Sequence, residues 1–134
     1  MGSLSDAFRD AALARDHSAM VDTLADSVVF NSPVAFLPFE GRDAVGQVLG
    51  AVMETFEDFR YTDELAGTTA HALVFSARVG SKELQGIDLL RFDSSGRIRD
   101  FTVLVRPLSG TIALAEAMGP KVAHLKKPRS SGSS

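Results

Sequence analysis

The sequence predicts an α+β fold: a cone-shaped roll in which a strongly curved antiparallel sheet wraps around one long helix, entered through an N-terminal helical hairpin. Three observations predict it. Apolar residues recur at helical spacing over roughly residues 5–24 and again, in the cleanest pattern of the chain, from about Asp43 to Glu57. From about residue 58 the pattern changes to alternating or β-branched segments divided by short turns. Helices therefore come first and strands last, without the alternation that a parallel sheet requires. A long helix lying across a bent sheet leaves a hollow open at one end, the place for an apolar ligand.

Leu4, Phe8, Ala11 and Ala12 fall at helical spacing behind Ser3 and Ser5, and predict a first helix over about residues 5–15. Asp16 is placed to cap a second, with Met20, Val21 and Leu24 as its apolar face. Val28, Phe30 and Ser32 then alternate with Val29 and Asn31 in a short strand that Pro33 ends. Residues 33–41 read as a loop carrying Phe36, Leu37 and Phe39, although connecting segments are normally polar; these side chains are expected to cover the hollow as a lid. On the main helix Val45, Val48, Leu49, Val52, Met53 and Phe56 share one face. Gly46 and Gly50 on it predict close packing against a sheet, because glycine costs a helix about 1 kcal/mol and needs a compensating reason. Strands are expected over about 58–66, 69–79, 83–93 and 97–106. Gly80-Ser81 and Asp93-Ser94-Ser95-Gly96 suit hairpins, so the last three should pair in sequence. After Pro107, Ser109 can cap a last short helix with Ile112, Leu114 and Met118, which Gly119-Pro120 should stop.

Of the 134 residues 45% are hydrophobic and 23% charged, a globular balance. A chain of this length buries roughly two-thirds of its unfolded surface, so residues 1–126 are read as one domain and the Ser/Gly-rich 127–134 as a flexible tail. The absence of cysteine excludes disulfides, thiol catalysis and cysteine metal sites. His17, His71 and His124 have no metal-ligand spacing, and no phosphate loop, nucleophile elbow or dinucleotide fingerprint is present, so neither metal nor cofactor is expected. No apolar run approaches the roughly 18–20 residues that span a bilayer, and the N-terminus lacks a signal-peptide pattern; the expected location is cytoplasmic. Residues 1–67 carry four arginines against twelve acids, whereas the remainder carries ten basic and five acidic residues, so the two halves should attract. The basic residues beyond Gly119 lack interleaved aromatics, and neither nucleic acid nor membrane is expected as a partner.

Three phrases are distinctive: Leu24-Ala25-Asp26-Ser27-Val28-Val29-Phe30-Asn31-Ser32-Pro33, Phe39-Glu40-Gly41-Arg42-Asp43-Ala44-Val45, and Ile87-Asp88-Leu89-Leu90-Arg91-Phe92-Asp93-Ser94-Ser95-Gly96-Arg97-Ile98. With the order of elements, they make residues 5–107 resemble the nuclear transport factor 2-like superfamily, and within it the SnoaL-like, ketosteroid isomerase-like branch. The resemblance implies a cystatin-like α+β fold with a hydrophobic pocket. It also implies relatives among isomerases, polyketide cyclases, epoxide hydrolases, dehydratases and proteins without known activity.

Carried over residue by residue, the resemblance is incomplete. Ketosteroid isomerases place a carboxylate base before the proline of the first phrase, where this chain has Ser32, which cannot shuttle a proton without a neighbouring base. They place a tyrosine in the first helix, where this chain has Arg9 and Asp10; its only tyrosine is Tyr61. Their third polar group, a carboxylic acid kept neutral by an apolar surround, matches Asp88. The epoxide-hydrolase set of two aspartates bridged by an arginine fails on position, since Thr102 and Val103 stand where the second aspartate belongs.

Asp88, flanked by Ile87, Leu89 and Leu90, is therefore the candidate catalytic residue, as acid or oxyanion donor; the competing reading pairs it with Arg78 or Arg106, or with solvent. Candidate binding residues are Asn31 and Ser32 at the strand end, His71 as a possible base, Tyr61 as a hydrogen-bonding group, and Phe30, Phe36, Phe39, Met53, Phe56, Phe75, Val103 and Met118 as lining. The expected ligand is a small hydrophobic molecule bearing a carbonyl, or a polycyclic one. Catalyst and non-catalytic pocket protein both remain open. A third reading is an association module, since strands 69–79 and 97–106 carry apolar residues on both faces and predict a homodimer through the outer sheet face.

Overall fold

In the computed structural model, which describes residues 3–126, the chain begins with two short helices, α1 (Asp6–Leu13) and α2 (His17–Asp22). Asp16 caps α2, its carboxylate accepting the Ala19 N–H at 3.1 Å. Ser5 does not cap α1 through its side chain. Instead the Ser3 N–H and hydroxyl both donate to Asp6, at 2.9 and 3.0 Å. Six strands follow in one sheet: β1 (Leu24–Asn31), β2 (Phe39–Glu40), β3 (Glu57–Ala66), β4 (His71–Val79), β5 (Lys82–Phe92) and β6 (Ile98–Arg106). Between β2 and β3 lies α3 (Arg42–Thr55), and after β6 comes α4 (Leu108–Val122) with a 3-10 turn at Ala123–Lys126.

The α+β class and the long helix against a sheet hold, but the strongly curved, wrapping sheet and its cone do not. The strand order β2-β1-β6-β5-β4-β3 is open, with β2 and β3 left as separate edges. The sheet is also mixed, because β1 runs parallel to β6 while every other pair is antiparallel. The physical reason is in the edge: β2 is two residues long, too short to carry a ladder round to β3, and helices cover the inner face in place of sheet closure. As expected, β4, β5 and β6 are sequential antiparallel neighbours. Register from Val79↔Lys82 to His71↔Leu90 is unbroken, so Gly80, at φ +60°, turns the hairpin without a bulge and His71, Leu73, Phe75 and Ala77 all face the helices.

Two further expectations are corrected. Gly46 and Gly50 admit α2, not the sheet: a Cβ on Gly46 would stand 3.2 Å from Val21 Cγ2, and one on Gly50 3.3 Å from His17 Nε2. His17 locks that contact by donating Nε2–H to the Gly46 carbonyl at 2.7 Å. The last helix is neither capped by Ser109 nor stopped at Gly119-Pro120, and it reaches Val122. Pro120 forfeits one backbone hydrogen bond, yet it lies on the exposed side, while Leu114, Met118 and Val122 on the other side are buried and hold the helix to the core. The tail expected over 127–134 lies outside the described residues.

Charge does link the halves of the chain, with Arg78 bridging Glu57 and Asp58 at 3.0 and 2.9 Å and Lys121 reaching Glu54 at 3.8 Å. Among the described residues no helix is long and apolar enough to cross a membrane.

Candidate functional site

Helices α3 and α4 do not fill the inner face of the sheet. Between them and strands β3 to β6 lies a cavity of about 180 Å³ that opens beside residues 33–35 and the end of α1. Its wall is aromatic on one side. Phe59 packs edge-on against Tyr61 at 4.9 Å and tilted against Phe75 at 5.2 Å, and Phe56 lies 5.5 Å from Phe75. Phe101 closes the other side, 5.1 Å from both Phe8 and Phe30. This wall needs a glycine: Gly86 lies opposite Phe75 in the β4–β5 register, and a Cβ there would meet the Phe75 ring and stand 2.8 Å from the Leu104 carbonyl oxygen.

Within this apolar surface one polar pair stands out. Asp88, paired with Val103 across β5–β6 and 7% exposed, turns its carboxyl into the cavity. Tyr61 donates its phenol O–H to Asp88 Oδ2 at 3.0 Å. Oδ1 has no hydrogen bond to a described residue, and no buried polar side-chain atom among them is sealed without a partner, so Oδ1 faces the cavity. Burial pushes the Asp88 carboxyl up to about 7, and the Tyr61 hydrogen bond opposes that only in part. Tyr61 itself is driven upward by burial and by the neighbouring carboxylate, so it stays protonated and stays a donor. Near neutral pH the carboxyl is thus divided between a form that donates a hydrogen bond through Oδ1 and a form that only accepts.

The remaining candidates are placed as follows. Phe30, Ser32, Phe39, Met53, Phe56, Tyr61, Phe75, Val103 and Met118 line the cavity together with Asp88. Asn31, Phe36 and His71 do not. Asn31 donates its amide to Thr102 Oγ1 at 3.0 Å and bridges β1 to β6. Phe36 is 97% exposed and Leu37 73%, so the expected lid is reduced to Pro33, Val34 and Ala35 at the opening and Phe39 in the wall. His71 is buried, bonded through Nδ1 to Ser5 Oγ at 3.0 Å and packed edge-on against Phe92, an arrangement that ties the N-terminus to the sheet. The Arg78 and Arg106 pairing weighed for Asp88 does not occur: Arg78 serves Glu57 and Asp58, and Arg106 donates to Gln85. Ser32 Oγ accepts the Val34 N–H at 3.1 Å.

Among the lining residues that sequence reasoning did not name as site residues are Arg15, Phe59 and Phe101. For Phe59 the signal was present, since Phe59 and Tyr61 stand two apart as the apolar positions of the otherwise polar segment Glu57 to Glu64. Among the described residues no group of three or more His, Asp or Glu could hold a metal ion.

Residues 5–101 match the SnoaL-like domain, which is more than half of the chain. The chain belongs to the SnoaL-like family. Among solved structures, this SnoaL-like chain is 42% identical to a steroid delta-isomerase from Pseudomonas aeruginosa, with a TM-score of 0.84 over 92% of this chain and 95% of that one. It is 32% identical to a protein with a cystatin-like fold from Silicibacter pomeroyi DSS-3, with a TM-score of 0.86 over 92% and 87%. A nuclear transport factor 2-like protein of unknown function from Cytophaga hutchinsonii, 18% identical over 78% and 88% with a TM-score of 0.61, shares the fold. No curated protein matches. The superfamily expected from the three sequence phrases is therefore the one found, and this SnoaL-like fold carries a hydrophobic small-molecule pocket.

Proposed function

We propose that the cavity binds a neutral, mostly apolar small molecule by one carbonyl oxygen, which accepts a hydrogen bond from the protonated Asp88 carboxyl while Tyr61 holds that carboxyl in place. The observation that carries this reading is the buried polar pair, Tyr61–Asp88, at the inner wall of a cavity lined mostly by apolar side chains. An apolar pocket with few convergent polar groups selects shape first and orients the ligand through those groups.

The sign of the pH effect follows from the chemistry. Only the protonated carboxyl donates, so affinity for a neutral ketone should be full below about pH 6 and fall roughly tenfold by about pH 8, as Asp88 ionises with its midpoint near 7. Asp88→Asn, whose amide donates at every pH, should bind the ketone without that pH dependence, and Asp88→Leu should bind it weakly throughout. Calorimetric titration with a steroid ketone at several pH values measures all three. A flat wild-type profile, or wild-type affinity in Asp88→Leu, removes Asp88 from recognition.

A second reading, proton transfer next to the bound carbonyl, is favoured by the 42% identity to a steroid delta-isomerase. A carboxyl titrating near 7 both gives and takes protons at neutral pH. In the same samples, exchange of the ketone's α-hydrogens for deuterium in D2O should proceed with the wild type and stop in Asp88→Asn. Exchange that persists in Asp88→Asn assigns the base elsewhere.

The homodimer is also proposed, through the outer sheet face. Val74, Ile87 and Leu104 pair across β4, β5 and β6 as one apolar row on the side away from the helices, and Leu104 is 53% exposed. Light scattering should give twice the chain mass at micromolar concentration, and Leu104→Glu should halve it. A monomeric wild type defeats the proposal.

A further inference from the structure

The proposed ligand reading leaves one lining group without a role. Arg15, at the turn from α1 to α2, is the only cation among the described residues lining the cavity, and its exposure to solvent places it at the opening. It forms no salt bridge with a described residue, and the one hydrogen bond of its guanidinium to a described residue runs from Nη2 to the Met53 carbonyl at 2.7 Å, near the end of α3. That contact uses one of five guanidinium donors and anchors the head group over the rim. The backbone at Arg15 has φ +55°, a left-handed conformation that glycine adopts freely and arginine does not. It closes α1 as a Schellman cap, with the Arg15 N–H donating to the Ala12 carbonyl at 3.1 Å and the Asp16 N–H to the Ala11 carbonyl at 2.9 Å, and so fixes where the side chain leaves the helix end.

Size supplies the second observation. A cavity of about 180 Å³ is little larger than the ~150 Å³ apolar cavity that encloses a single benzene ring, so a ligand of several rings extends through the opening. Its outer end then passes the Arg15 guanidinium. Apart from Asp88 at the inner wall, no acidic side chain among the described residues lines the route.

Building on the carbonyl reading above, we infer that the ligand is amphipathic: a carbonyl at the buried end meets Asp88, and an anionic group, carboxylate or sulfate, at the outer end is bound by Arg15. Guanidinium suits such a group because it offers two parallel donors to an oxyanion.

The test separates this inference from the reading it rests on. The full chain is titrated calorimetrically with estrone sulfate, which carries a ketone at one end and a sulfate at the other. Estrone methyl ether, which lacks the anion, and the sulfate of the corresponding steroid without the ketone are titrated alongside. The wild type should prefer estrone sulfate to the methyl ether by about tenfold. Arg15→Met should bring the ratio close to one, and Arg15→Lys, which keeps the charge, should restore most of it. A purely structural Arg15 would lower both affinities together and leave the ratio unmoved. Equal wild-type affinities, a preference that survives Arg15→Met, or no binding of the sulfate to the wild type overturns the inference. If the sulfate preference holds while loss of the ketone changes nothing, the anion site stands and the Asp88 reading fails. Should Arg15→Met melt at a much lower temperature, the wild-type ratio and Arg15→Lys still decide.

Discussion

Replacing Asp88 by asparagine is expected to stabilise the protein at pH 8 by on the order of 4 kcal/mol while leaving it nearly unchanged below pH 4. The carboxyl titrates at 3.8 when exposed and at about 7 in the fold, so the folded state holds the proton more tightly than the unfolded state. Below 3.8 both states are protonated and the group has no pH-linked effect. As pH rises from there the unfolded chain ionises first and gains relative to the fold, and the deficit grows until the folded carboxyl also ionises near 7. Each unit of the difference is worth about 1.4 kcal/mol. Asparagine keeps an acceptor for Tyr61 and carries no charge, so its stability has no such slope. For a chain of this length the gain at pH 8 corresponds to very roughly 15 °C in Tm. Thermal melts of both proteins between pH 4 and pH 8 measure the divergence; parallel curves would show that Asp88 is not buried as described. A group that lowers stability at physiological pH fits a role in binding or chemistry better than one in folding.

Phe75→Ala should lose about 3–5 kcal/mol of stability and enlarge the ligand cavity. Phe75 is 1% exposed, packs against Phe56 and Phe59, and belongs to both the core and the cavity wall, so its removal leaves a void that the surrounding strands cannot close. The close approach of Gly86 gives a sharper test. Gly86→Ala alone forces its new methyl onto the Phe75 ring and should cost ~1–3 kcal/mol by overpacking. In the Phe75→Ala background that obstacle is gone and only the Leu104 carbonyl oxygen, 2.8 Å from the added Cβ, still resists, so the double variant should lose clearly less than the two single losses combined. Urea denaturation of the four proteins settles it. Additive losses would mean that Phe75 and Gly86 do not share the space described.

The carbonyl, anion and dimer proposals concern three separate surfaces: the inner wall at Asp88, the rim at Arg15, and the outer sheet row at Leu104. An Asp88 variant should leave the mass in solution unchanged, and Leu104→Glu should leave the pH dependence of ketone binding in place. The two inner predictions can therefore be tested whichever oligomeric state is found.

What local spacing encodes was determined by the sequence alone. The two short helices, the apolar face of α3 and the hairpins at Gly80 and Gly96 depend on neighbours a few residues apart, and all of them form close to their expected positions. Asp88 was a candidate by its place between Ile87 and Leu89 and by the resemblance of its phrase, but only the fold turned it to the cavity and not toward solvent or Arg78 and Arg106. The tertiary structure decided the rest. The open edge at β2 and the parallel β1–β6 pair depend on which distant strands meet, and no periodicity records that. Gly119-Pro120 carried a local stop signal that burial of Met118 and Val122 overrode. The Tyr61 partner of Asp88 lies 27 residues away across two strand pairings, with register shifts in β3 between Glu57 and Arg60 and between Tyr61 and Asp63 that spacing arguments cannot foresee. Phe36 and His71 read as site residues by chemical type, yet one faces solvent and the other braces the N-terminus. Arg15 reads as an ordinary surface arginine until the turn after α1 sets it at the cavity rim. Residue type shows what a side chain can do, and long-range packing decides which side chains meet.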